Sequence, residues 1–508
     1  MKGNNQTICP EFNLQWEWEH FKLLGVNFTT NLNHMTQANY LSKQDEVNKL
    51  FFHWSKRIIT PIGKNVIIKS LALPKFNHLI LSLPNPNIDT IKAIQNSFFK
   101  FLWNSGPDKI KRNVVIQNYE NGGLRMTSLG TFMTSLKLTW IRRLFLYNSK
   151  YFTFVNKMYP FLSNVSKFGD QYLKHKLQTV HNNFWKDVFL GLIQLHEQKP
   201  RKWSEFCSLP VWHNSMFKIA GSTFCFPRYV NGGVFLVNDL LNNSGNLLSF
   251  NEFSAKYDIN TNFLQYQNII GSIRAFLNNI TLIHQAQKEV NPVQPLIIKI
   301  INSKSKGCRQ IYDFILRVKT LPTSRRKWNN ELNLNANFNW NIIYRIPFNV
   351  TKDSNLQWFQ YKVNHRILGT NYLLHKMGIK NVSTCSFCKN QVETIKHLFW
   401  DCQLSNSFWD EIKSWINSKC TDVNTNWTSS DIILGNEHLN KATLNLILLG
   451  KYTLYRCKLQ NSVPSFNLYK SYVDILLKIQ LYNAKKENNV PKFDKEWGKY
   501  LSLLPNQD

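Results

Sequence analysis

The sequence predicts a mainly α-helical, multidomain protein, and three observations carry that expectation. At roughly 150 residues per domain, 508 residues supply about three globular units, each large enough to bury its own core. Hydrophobic residues make up 43% and aromatics 14%, with 16 Trp and 35 Phe, which is far more apolar surface than a disordered chain carries. Apolar residues then recur at helical spacing in one segment after another, while alternating strand patterns are rare.

The first element, Phe21-Lys22-Leu23-Leu24-Gly25-Val26-Asn27-Phe28, reads as a strand in which Gly25 permits a bulge or close backbone approach. Ser42-Lys43-Gln44-Asp45 has capping-box form, and Val47, Leu50, Phe51, Trp54 and Ile58 follow as an amphipathic stripe. Thr60-Pro61 is an N-cap followed by proline at the first helical position, so a second helix runs to about Pro74 and carries Lys64 and Lys69. A third helix, about Ile88 to Trp103, buries Ile91, Ile94, Phe98, Phe101 and Leu102. It leads into Gly106-Pro107 and the basic run Lys109-Ile110-Lys111-Arg112, then a Gly122-Gly123 turn. A helix from about Ser128 to Tyr147 bears Lys137, Trp140, Arg142 and Arg143. From about 150 to 350, aromatic-rich helical stretches alternate with Asn-rich turns, with a strand expected at Gly233 to Val237. Ser303–Gly307 and Asn329–Asn341 have linker composition. Leu404, Phe408, Ile412 and Ile416 line a helix, and two more lie near Asn440–Gln460 and Phe466–Lys486, separated by Pro464.

Charge narrows the partners. Lys and Arg number 62 against 31 Asp and Glu, a net charge of +31, so the field of the protein attracts a polyanion, with nucleic acid the expected one. No apolar run approaches the roughly 18 residues of a membrane span, and residues 1–13 lack a signal-peptide core, so no membrane partner is expected. Nine scattered cysteines do not form a disulfide framework, and the expected location is intracellular, nucleus or cytoplasm, rather than secreted. Lys56, Arg57, Lys64, Lys69, Lys111, Arg112, Lys137, Arg142 and Arg143 lie on or beside short helices, where distributed charge can contact phosphates without reading sequence.

The most specific motif is Cys385-x2-Cys388-x8-His397-x4-Cys402. Three thiolates and an imidazole from one short segment supply a complete tetrahedron, which leaves no open position for an activated water, so the expected cofactor is a structural Zn2+. Phe387, Phe399 and Trp400 are expected to shield the metal rather than stack on a base, and Lys389 and Lys396 are candidates to meet phosphates. No Mg2+ site is expected, because two-metal chemistry wants clustered carboxylates and the chain contains no Asp-Asp pair. Asp45-Glu46 is explained as helix-start charge, and Asp108 with Glu120 lacks the following Lys of a restriction-type nuclease. Walker, G-x-G-x-x-G, G-x-S-x-G and H-E-x-x-H motifs are all missing, and His53, His78, His365 and His375 stand alone, so no catalytic residue is assigned.

Taken in order, these segments resemble the C-terminal half of a non-LTR (LINE-type) retrotransposon reverse transcriptase. Phe21 to Val26 is similar to the last palm strands, with Leu24 where Tyr is common. Trp54-Ser55-Lys56-Arg57, Gly63-Lys64 and Ile68-Lys69-Ser70, followed by Pro84 and the Phe98–Trp103 helix, resemble the thumb. Gly122-Gly123-Leu124, Lys137-x2-Trp140-x-Arg142-Arg143, Pro210-Val211-Trp212-x-Asn214, Gly232-Gly233 and Asp239-Leu240-Leu241 continue the likeness. The cysteine–histidine motif is similar to the zinc-binding domain associated with these enzymes.

The resemblance implies a palm remnant at 1–35, a thumb-like helical bundle at 36–150, a helical middle domain with a few strands at 151–340, and a small zinc-bearing C-terminal domain at 341–508 with its motif at 385–402. It also implies RNA and RNA/DNA or DNA duplex as partners. The family's catalytic Asp residues and endonuclease would lie upstream of Met1, so the chain alone is expected to be inactive and to hold the nucleic-acid-binding portion. Alternative readings are part of an active RNA-directed DNA polymerase completed by an upstream segment, and a host-retained RNA- or protein-binding structural protein.

Overall fold

The computed structural model describes residues 20–146, 150–280, 308–316, 320–335, 337–420 and 423–504. Helices dominate, as the sequence predicts, and the sheet among the described residues is a single two-stranded hairpin. The chain divides into two compact units, one drawn from 1–50, 71–96 and 128–317, the other from 51–70, 97–127 and 318–508. Residues 36–150 therefore contribute to both.

In the first unit, the segment read as one bulged strand is a hairpin. His20–Leu23 pairs antiparallel with Val26–Thr29. Leu24 and Gly25 both take positive φ, +48° and +81°, the backbone of a tight two-residue turn. Asn39 ties the hairpin to the following helix, its side chain accepting from the Asn27 amide at 2.9 Å and donating to the Asn27 carbonyl at 2.8 Å. That helix starts at Leu32 and runs to Ser55, so the capping-box form at Ser42 lies inside it and caps nothing. Lys43 instead pairs with Glu46 one turn on. Helices Leu129–Leu146 and Asn183–His196 enclose one core, around Leu138, Ile141, Val188 and Leu192. Another surrounds Trp212, whose indole N–H donates to the Val234 carbonyl at 2.7 Å. The strand expected at Gly233 to Val237 does not form: Leu236 makes an isolated bridge to Pro210, and Val237–Leu240 turns into a short 3-10 helix. Asp239 explains the switch, since its carboxylate takes the amides of Phe235 and Leu236 that a strand partner would need. The linker candidate Ser303–Gly307 lies outside the described residues.

In the second unit, Thr60 caps the helix Pro61–Ile67 by accepting from Gly63 N, as its sequence predicts. A wide π turn, Ile68–Ala72, follows. Gly123 sits where a Cβ would lie 1.9 Å from the Gln117 carbonyl oxygen, so no larger residue fits there. The linker expected at Asn329–Asn341 is instead part of a core. Trp328 and Trp340 are buried, Leu332, Leu334 and Phe338 pack beside them, and the Trp328 indole donates to the Asn364 carbonyl. Asn-rich composition here serves turns between Thr323–Glu331 and Trp340–Val350 rather than a tether. Asn440 and Ser465 cap Lys441–Leu459 and Phe466–Lys486, which pack on Gln403–Lys419. Gln403–Lys419, Lys441–Leu459 and Ser354–Asn364 pack against the cysteine–histidine segment, the last through Phe359 on Phe399.

Candidate metal centre and basic residues

The cysteine–histidine segment folds as a knuckle followed by a turn. Thr384 bridges Val392, the Cys385 amide donates to the Gln391 carbonyl at 2.7 Å, and the Glu393 amide donates to the Ser383 carbonyl at 2.8 Å. Lys389 closes the loop with φ of +60°, its amide returning to the Cys385 carbonyl. His397 then opens a π turn, His397–Asp401, and Cys402 stands at the start of Gln403–Lys419. A π turn leaves carbonyls badly placed for the helix's own amides. Here Ser405 Oγ donates to the Leu398 carbonyl at 2.8 Å and the Trp409 indole to the Phe399 carbonyl at 2.8 Å, both fully buried.

This arrangement brings all four sequence-predicted ligands together, with their donor atoms within 4.8 Å of one another. Cys385 Sγ lies 3.9 Å from Cys402 Sγ, and Cys388 Sγ lies 3.4 Å from His397 Nε2. Zinc–sulfur and zinc–nitrogen bonds of about 2.3 and 2.05 Å at tetrahedral angles require edges of about 3.8 and 3.6 Å. These two pairs thus stand close to the spacing the ion requires, and three sulfurs with one imidazole are the donor set zinc takes in closed sites. Cys385, His397 and Cys402 are buried and Cys388 is half-buried. The Cys385 thiol donates to the Cys402 sulfur, which also receives the amides of Ser405 and Leu404 and the field of His397. Together these hold the Cys402 thiol well below its usual range, while the same bond and burial push Cys385 up. Cys385 and Cys402 would hold a metal as thiolates, with the shared proton released. Of the expected shielding groups, Phe387 and Phe399 are buried and Trp400 is half-buried, and Lys396 is engaged by Asp401 at 2.7 Å.

Sequence reasoning missed the groups that hold the knuckle. Glu393, fully buried, accepts from Asn371 N and from Ser386 N, each at 2.7 Å. Lys458, from the long helix Lys441–Leu459, lies 3.5 Å from the same carboxylate. The Asn371 side chain donates to the Thr384 carbonyl at 2.8 Å and to Ser386 Oγ at 3.1 Å. Only Glu393 carried a signal in the sequence, as an acidic residue inside a metal motif of a basic chain.

The nine residues predicted for phosphate contact separate into three classes: buried, exposed and half-buried. Lys64 and Lys137 are buried and correct the prediction. Lys64 Nζ donates to the Phe101 carbonyl at 3.0 Å and to Asn104, and burial lowers its pKa. Lys137 Nζ donates to the Leu83 carbonyl at 2.7 Å, lies 3.6 Å from Asp187, and is pushed down by burial to about 8. Both ammonium groups have interior acceptors, so their helical positions serve packing. Lys56, Arg57, Lys69, Lys111 and Arg143 are exposed. The charged groups of Lys56, Arg57 and Arg143 lie over the rings of Phe52, Trp54 and Trp140, 4.6, 4.5 and 4.9 Å from their centroids. Arg112 is half-buried and paired with Asp108 at 2.7 Å, and Arg142 is half-buried. Lys137, Arg142 and Arg143 belong to the first unit and the other six to the second.

Residues 323–409 match the family model described as zinc-binding in reverse transcriptase. The match begins at the helix carrying Trp328 and ends at Trp409, so it takes in the whole knuckle, all four ligands and the residues that carry the π turn. The second unit therefore contains a reverse-transcriptase-type zinc-binding domain whose cysteine–histidine cluster fits a structural Zn2+. No helix among the described residues is long and apolar enough to cross a membrane.

Proposed function

We propose that this chain is the nucleic-acid-binding portion of a non-LTR (LINE-type) retrotransposon reverse transcriptase, holding RNA and template–primer duplex through phosphate contacts. The match of residues 323–409 to a reverse-transcriptase zinc-binding domain, on three cysteines and a histidine whose donor atoms lie within 4.8 Å of one another, carries this reading. The net charge of +31 supports it, as do the exposed cations Lys56, Arg57, Lys69, Lys111 and Arg143. Zinc here is architectural: with four protein ligands it orders the knuckle and activates no water. The chain contains no Asp-Asp pair of the kind that holds catalytic Mg2+, which favours a binding role over polymerisation for these residues. Fluorescence anisotropy with labelled single-stranded RNA and with duplex tests the reading. Binding to both that weakens steeply with salt is the expected outcome, and no binding at low salt contradicts it.

A further inference from the structure

Glu393 is a fully buried carboxylate beside a metal centre whose three thiolates already outweigh the charge of a zinc ion. Burying another negative charge there is costly unless it is paired and hydrogen-bonded. Each of its oxygens has an assigned partner. Oε1 accepts from Asn371 N, the first residue of helix Asn371–Lys376, and faces Lys458 Nζ, which also donates to the Gly369 carbonyl. Oε2 accepts from Ser386 N, directly after Cys385. Asn371 in turn holds the carbonyl of Thr384, directly before Cys385. The backbone on both sides of the first zinc ligand is thus clamped through one carboxylate, which touches no ligand atom itself.

We propose that Glu393, with Lys458 as its counter-ion, is the positioning residue of the metal centre: it sets residues 384–386 so that the Cys385 sulfur stands at tetrahedral distance from Cys402 before metal arrives. An apolar residue of similar volume would pack as well at lower desolvation cost, but would leave the amides of Ser386 and Asn371 without an acceptor. The inference rests on zinc being the ion held by the four ligands, and the zinc content of the unaltered chain tests that separately.

The experiment compares the full chain with Glu393→Gln, Lys458→Met, the double variant, and Lys396→Ala as a control that breaks the exposed pair with Asp401 near His397. Glutamine keeps the shape but turns one acceptor into a donor facing an N–H. Zinc affinity is read by competition with a chromophoric chelator, and ligand geometry by the visible absorption of the Co2+-substituted protein. Each single variant should bind zinc about 10- to 100-fold more weakly, with an altered Co2+ spectrum. The double variant should lose less than the sum of the two singles, since each single already breaks the Glu393–Lys458 pair. Lys396→Ala should match the unaltered chain. Should a single variant fail to fold, the double variant carries the test, because it leaves no unpaired buried charge. A folded variant lacking Glu393 that binds zinc within about twofold of the unaltered chain, with the same Co2+ spectrum, overturns the proposal. Single-variant losses that simply add in the double variant also overturn it. An unaltered chain without stoichiometric zinc overturns the ligand set instead.

Discussion

Replacing Cys402 by serine removes one of four ligands, at a buried position between the π turn and the helix Gln403–Lys419. A neutral hydroxyl does not replace a thiolate toward zinc, so the ion and on the order of 10 kcal/mol of local folding free energy are lost. Little opposes the opening of the knuckle. Phe387 contributes about 2 kcal/mol by burial, and the bonds from Cys385 N to Gln391 O and from Glu393 N to Ser383 O about 1 kcal/mol each. The π turn is better supported, because Leu398 and Phe399 are fully buried and their carbonyls are held by Ser405 and Trp409. Hydrogen exchange read by mass spectrometry should therefore show Cys402→Ser losing protection across 384–392, less at 397–402, and none in the helices of the first unit. Elemental analysis should fall from one zinc per chain to none. Cys420→Ser should change neither, since Cys420 lies outside the ligand set and faces Ser502. Retained zinc in Cys402→Ser, metal content governed by Cys420, or unchanged exchange at 384–392 would refute the reasoning.

Further outcomes follow from packing and charge. Gly450→Ala should destabilise by about 1–3 kcal/mol despite the better helix former, because the new Cβ would lie 2.5 Å from the Trp409 ring; an urea melt showing a gain would mean that Trp409 moves freely. Burial holds Lys137 near 8, so between about pH 8 and the ordinary lysine value near 10.4 the folded chain carries fewer protons than the unfolded one. Stability therefore falls as pH drops through that window and levels off below it; Lys137→Met should flatten the slope in thermal melts, and an unchanged slope would show that its amine is not desolvated. Primer extension by the chain alone, with Mg2+ and nucleotides, should give no product, and activity abolished by mutating one of its own Asp residues would end that expectation.

Much of the helical frame was legible because its signals are local. Thr60-Pro61, Asn440 and Ser465 each cap where the sequence places a helix start, and the ligand spacing needs only one short segment. Errors arose where a local signal had a distant competitor. The capping-box pattern at Ser42 was overridden by a helix already begun at Leu32, and strand-like residues before Val237 were captured by Asp239. The Asn-rich stretch 329–341 read as a linker because composition does not show that Trp328 and Trp340 anchor it from either end. Lys64 and Lys137 look like surface cations at the level of residue type, and only folding supplies the Phe101 and Leu83 carbonyls that take them inside. The Glu393–Lys458 pair was illegible for the same reason: its partners come from elements far apart in the chain.

Salt-dependent binding to a mixed-sequence DNA duplex tests polyanion recognition most directly. Each neutralised phosphate contributes a slope of about −0.9 to log affinity against log salt, so several exposed cations acting together should give a steep decline between roughly 50 and 200 mM. Lys69→Ala or Arg143→Ala should weaken binding about equally across sequences and lessen the slope by about one, whereas Lys64→Met and Lys137→Met, which alter interior groups, should leave the slope unchanged. A flat salt dependence with strong sequence selectivity, or a slope governed by Lys64 and Lys137 rather than by the exposed residues, would contradict a phosphate-tracking surface.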